Sequence, residues 1–124
     1  MNVIVRITRS FKIASKPLLK KYRSLRKDLL KLEGELILNP TLGTPLGHNV
    51  YKIRLSISSK RKGKSGGARV ISLVESTLIG EIITADEQVT VNLITIYDKT
   101  NTGAISDKEL KEFIKTFHKD ESEG

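Results

Sequence analysis

Seven cations stand between Val50 and Arg69 with no acid among them: Lys52, Arg54, Lys60, Arg61, Lys62, Lys64 and Arg69. Their spacing says more than their number. Tyr51, Ile53, Leu55 and Ile57 alternate with Lys52, Arg54, Ser56 and Ser58, so a strand here buries one face and aims Lys52 and Arg54 out from the other. Lys60 to Gly67 reads as a basic, glycine-rich loop, and a hairpin return brings Arg69 back toward the two strand cations. With helices covering the far face, these charges line an open, concave surface that attracts a polyphosphate, because each neutralised phosphate releases condensed counterions. The plainer alternative is a solvated face and a flexible loop that keep a small domain in solution.

The same asymmetry runs through the whole chain. Residues 1 to 69 carry 17 Lys or Arg against Asp28, Glu33 and Glu35, whereas residues 70 to 124 carry 5 against 11 acids, for a net charge of +8. Two further patterns fall short of the chemistry they suggest. Asp98 to Glu109 has the skeleton of a calcium-binding loop, with Gly103 and Ile105 in place, but Thr100 and Thr102 stand where strong oxygen ligands belong. A β-branched stretch, not a helix, precedes it. Gly63, Lys64 and Ser65 resemble part of a phosphate-binding loop, yet Ser58 replaces its first glycine and a strand, not a helix, is expected to follow.

The elements that must carry these residues follow from periodicity. Val3, Val5 and Ile7 mark a short first strand, and Phe11, Ala14, Leu18 and Tyr22 a first helix that Pro17 should kink or delay. Leu25, Leu29, Leu32 and Leu36 give a clearer amphipathic second helix, ended by Asn39 and Pro40. Thr41 to Asn49 is turn-rich, Val50 to Ser58 is the strand already described, and further strands are expected near Arg69 to Glu75 and Val89 to Tyr97. Ser76 to Gln88 fits either a longer hairpin or a short extra element. Ser106 and Glu109 have the spacing of a capping box, opening a last helix with Leu110, Phe113, Ile114 and Phe117 inward. The order implies an α+β fold: a four-stranded antiparallel sheet, an N-terminal helical hairpin packed on one face, and a C-terminal helix.

One domain over residues 1 to 118, followed by a polar tail from Lys119 to Gly124, suits a chain of 124 residues. With 38% apolar and 5% aromatic residues the core should be small and aliphatic, and the lack of Cys removes disulfides, thiolate metal sites and a Cys nucleophile. Arg6 and Arg9 interrupt what a signal peptide would need to keep apolar, and no apolar run approaches the roughly 18 residues of a membrane span. A cytoplasmic protein without membrane contact is therefore expected.

Several phrases, taken in order, carry a resemblance: GTPLGHNVYKIRL at residues 43 to 55, SGGARVI at 65 to 71, TIYDK at 95 to 99 and ISDKELKEFI at 105 to 114. With SFK at 10 to 12 and KKY at 20 to 22, the chain resembles the RelE/ParE superfamily over roughly residues 3 to 117. That resemblance implies a compact, microbial-ribonuclease-like fold and the toxin of a type II toxin–antitoxin pair, with a cognate antitoxin as partner. RelE-like members cut mRNA on the ribosome without metal or other cofactor; ParE-like members inhibit DNA gyrase, and a degenerate homologue would bind only its antitoxin. By position, Lys52, Arg54 and Arg69 match the family's strand cations, and Lys99 lies where RelE-like enzymes carry a basic residue after the last strand.

RNA cleavage through its own 2′-hydroxyl needs a base, an acid for the departing oxygen and cations for the charge that builds on phosphorus. Arg54 and Arg69 suit the last task, Lys52 is the candidate base, and Tyr97 and Lys99 are candidates for the acid. Lys60, Arg61, Lys62 and Lys64 are the expected RNA-binding cations of the loop. Ile105 occupies about the place where some RelE-like enzymes have a tyrosine, so Tyr97 or His48 would have to substitute.

Overall fold

A computed structural model describes residues 2 to 60, 67 to 79, 86 to 99 and 105 to 123. In chain order the elements are β1 (Asn2–Ile7), α1 (Arg9–Lys21), α2 (Leu25–Leu38), β2 (Thr44–Gly47), β3 (Val50–Leu55), β4 (Ala68–Ile79), β5 (Asp86–Asp98) and α3 (Asp107–Glu123). Arg61, Lys62, Lys64 and the glycine-rich triplet around them lie outside the described residues, as do residues 100 to 104 of the calcium-like loop. Among the described residues no helix is long and apolar enough to cross a membrane.

The α+β class holds, but the sheet is five-stranded and mixed, not four-stranded and antiparallel. Its order is β1-β5-β4-β3-β2, and β1 runs parallel to β5, with Asn2 opposite Gln88 and Ile7 opposite Leu93. Period-two alternation tells which face a residue takes and is silent on which neighbour a strand chooses. The added strand, β2, lies in the turn-rich connection. It pairs with β3 around His48 and Asn49, both in the left-handed region at φ 54 and 63, as a two-residue hairpin turn requires. Of the open segment, residues 76 to 79 extend β4 and pair with Asp86 to Val89 of β5, while residues 80 to 85 lie outside the described residues.

Helices cover both faces. On one side Phe11, Leu18, Leu25, Leu32 and Leu36 pack against Ile53, Leu55, Val70, Val91 and Ile96. On the other, Leu110, Phe113, Ile114 and Phe117 of α3 pack against Val50, Ile71, Leu73 and Ile94. Neither face of β4 is polar in its middle, since Val70 and Ile71 are both fully buried. The α1 helix runs through Pro17 and is seated chiefly on β5, while α2 reaches β1, so the expected hairpin is two helices that meet the sheet more than each other.

One irregularity sets the orientation of everything near the end of β5. Ile71 pairs with Thr95 but Ser72 pairs with Leu93, so Ile94 is an extra residue. Before it, Val89, Val91 and Leu93 face α1 and α2; after it, Ile96 faces them and Tyr97 turns to the α3 side. A bulged carbonyl has no ladder partner. Here the Ser10 hydroxyl donates to Ile94 O at 2.6 Å, and Thr8, the N-cap of α1, donates its hydroxyl to Leu93 O at 2.8 Å. Replacing Ser10 by Ala should leave that carbonyl without its best donor and lower unfolding free energy by about 1–2 kcal/mol in urea titration. An unchanged midpoint would show that the bulge holds without it.

Candidate functional site: a cationic row on the α3 face

Because Ile53 and Leu55 enter the core under α1 and α2, Lys52 and Arg54 point to the opposite face. The antiparallel register then does the alignment. Arg54 lies directly opposite Arg69, and Arg69 directly opposite Tyr97, giving one row across β3, β4 and β5. Lys52, opposite Ile71, stands one step inward on the same face. Directly opposed residues place their Cβ atoms about 5 Å apart, where like charges repel. Among the described residues neither arginine has an ion pair, although Arg54 lines a hollow with Asp28 and Glu35 of α2.

Arg69 is only 6% exposed, and among the described residues its one side-chain hydrogen bond runs from Nη1 to Ala68 O at 3.1 Å. A guanidinium has five N–H donors, so most of its capacity is unmatched. Arg54 is exposed, and β2 stops short of it at the Thr44–Lys52 pair, so the sheet edge beside Arg54 is open. Tyr97 is half-buried with its ring against the α3 core, and no protein group engages its hydroxyl among the described residues. Lys99 is exposed one residue past β5, where its amide donates to Gly67 O at 3.1 Å. Gly67 is needed there, because a Cβ would collide with the carbonyl oxygen of Leu55.

No family model and no curated protein matches this chain. The site must therefore be argued from its own geometry.

That geometry brings together Lys52, Arg54, Arg69 and Tyr97 and separates two other expected residues. Lys60 does not join the row. Its ammonium bonds Asp98 Oδ1 at 2.9 Å and lies 5.2 Å from the ring centre of Tyr22, on the side of α1 and α2. His48, in the β2–β3 turn, sits at the start of β3, far from Arg54 at its end. Ile105 packs into the α3 core beside Tyr97 and does not line the row.

Behind the row lies a network that sequence reasoning missed. Asp98, 4% exposed, accepts the Tyr22 hydroxyl at 2.6 Å as well as Lys60, with Lys21 at 3.7 Å. Asp28, 7% exposed, accepts Ser24 Oγ at 2.8 Å, Ser58 N at 3.0 Å and Ser58 Oγ at 2.5 Å. Together the two carboxylates tie the segment leaving β3 to both helices and to the end of β5. The available signal was their isolation, since Asp28 is one of only three acids in the first 69 residues.

Burial of the Lys60 ammonium favours its neutral form, but the hydrogen bonds and charges of Asp98 and Tyr22 outweigh that and raise its pKa above 10.5. A group held charged more firmly in the folded state stabilises fully below its unfolded pKa and loses that contribution as pH rises through its folded value. Wild type should thus exceed Lys60→Met in stability at neutral pH, with the gap closing as pH passes beyond 10.5. Urea titrations across that range measure it; a gap that widens would mean the sign is wrong.

Proposed function

We propose that this chain is the toxin of a type II toxin–antitoxin pair and acts as a metal-independent endoribonuclease on mRNA in the ribosome. The observation that carries the reading is the Arg54–Arg69 pair, opposed across two strands, one of them buried, with no ion pair to either among the described residues. Such an arrangement opposes folding and is retained where a dianionic or phosphorane ligand supplies the missing charge. Guanidinium forks grip two phosphate oxygens at once, which Lys would not.

In this reading the scissile phosphate rests on Arg54 and Arg69 at the open edge of β3. Lys52, as the free amine, takes the proton of the ribose 2′-hydroxyl; that oxygen bonds phosphorus and the bond to the 5′-oxygen breaks. The products are a 2′,3′-cyclic phosphate and a 5′-hydroxyl, the latter receiving its proton from Tyr97 or Lys99. The resemblance in order of motifs to RelE-like proteins supports the same assignment, and a cytoplasmic site of action goes with it.

The antitoxin is assigned to the opposite side. A hollow of about 380 Å³ between β1, α1 and α2 is lined mainly by apolar side chains such as Phe11, Leu19 and Leu29, with Lys12 and Arg26 outnumbering Glu33. An acidic amphipathic segment matches that combination.

Arg69→Ala and Arg54→Ala should each lower mRNA cleavage by about two to three orders of magnitude. Growth arrest on induced expression should vanish while far-UV circular dichroism and antitoxin binding persist. Undiminished toxicity in both variants would overturn the assignment, as would DNA damage with filamentous cells in place of cut message.

A further inference from the structure

The row ends at α3, and the surface of that helix is divided by charge. Its inward stripe is Leu110, Phe113, Ile114 and Phe117. On one flank of the stripe the helical steps place Lys111, Lys115 and His118; on the other they place Glu109, Glu112 and Thr116. Lys111 and Lys115 are four apart, a like-charge spacing that weakens an isolated helix. From Glu109 to His118 the cations keep to one flank and the acids to the other, with Asp107 and Lys108 of the first turn as exceptions.

The fold decides which flank faces what. Lys111, Ile114, Lys115 and His118 line a groove of about 320 Å³ with His48 of the β2–β3 turn. Glu109, Glu112 and Thr116 line a separate hollow with Lys108 and Ser10, on the side of α1. The basic flank therefore overlooks the hairpin whose second strand carries Lys52 and Arg54 on this same face. Val50 to Arg54 spans about 13 Å of strand, so the groove and the row lie a few nucleotides apart along the same strand. The groove's lining contains no acid, and Lys111, Lys115, His48 and His118 have no ion pair or hydrogen bond among the described residues.

From this placement we propose that the groove between α3 and the β2–β3 hairpin is a second anion site, which holds the phosphate backbone of single-stranded RNA leaving the Arg54–Arg69–Tyr97 row. The proposal rests on the nuclease reading of that row and adds the strand's path across the protein. An acidic protein segment is a poorer occupant, because Ile114 is the one apolar residue of the lining and offers little to an amphipathic helix. The two imidazoles add flat rings on which bases stack.

The test uses the full chain carrying Lys111→Ala and Lys115→Ala, substitutions that favour helix. A control pair, Lys16→Ala and Lys20→Ala, removes equal charge from α1, on the other face. Binding of a fluorescent single-stranded RNA is followed by anisotropy over a salt series. The groove pair should weaken binding about tenfold and reduce the slope of log affinity against log salt by about 1.4, the loss of two phosphate contacts. The control should do neither. Equal losses in both pairs, or an unchanged slope in the groove pair, would overturn the groove. The nuclease reading fails separately, through toxic Arg54 and Arg69 variants, so the two cannot be confused.

Discussion

A single extra residue in β5 governs how this sheet presents its side chains. Ile94 interrupts the alternation, and its carbonyl is held by Ser10 at the start of α1. Without that slip the sequence from Val89 onward would send Tyr97 beneath α1 and α2 and aim Asp98 at the α3 side. With it, Tyr97 joins the arginines and Asp98 is enclosed with Tyr22 and Lys60. The candidate site and the network behind it are thus two sides of one register choice, secured by the helix that follows β1.

Charge is distributed over the two faces by the same geometry. On the side of α1 and α2, buried carboxylates meet hydroxyls and an ammonium at hydrogen-bond distance, which is how a buried charge is tolerated. On the α3 side, Arg54 and Arg69 stand opposite each other with no ion pair among the described residues. Arg69 illustrates the conflict best, its guanidinium enclosed by the fold yet bonded, among the described residues, only to a neighbouring carbonyl. Sequences that fold well usually avoid such conflicts, so where one persists a ligand is the natural relief.

Periodicity made β1, α2, β3 and α3 readable, and placed Lys52 and Arg54 on the correct side. Ser106 accepts the Glu109 amide at 3.1 Å as its spacing implied, although Glu109 answers the Ser106 hydroxyl, not its amide. What failed had physical reasons. β2 is four residues long and contains Pro45 and Gly47, so no alternation could announce it. An amphipathic stripe shows that α3 packs, not on which face; the apolar residues on both sides of β4 were the better clue. Lys60 looked like its neighbours because its partner, Asp98, is 38 residues away in sequence.

The parallel pairing of β1 with β5 joins the first strand to the last, with Asn2 opposite Gln88. Loop-closure entropy makes such long-range pairing late and slow. During synthesis the nascent chain can dock its first helices on nothing complete, because β5, on which α1 is chiefly seated, has yet to emerge. The face that carries Arg54, Arg69 and Tyr97 is assembled only after most of the polypeptide exists. Whatever that face binds, it cannot do so before the chain is nearly complete.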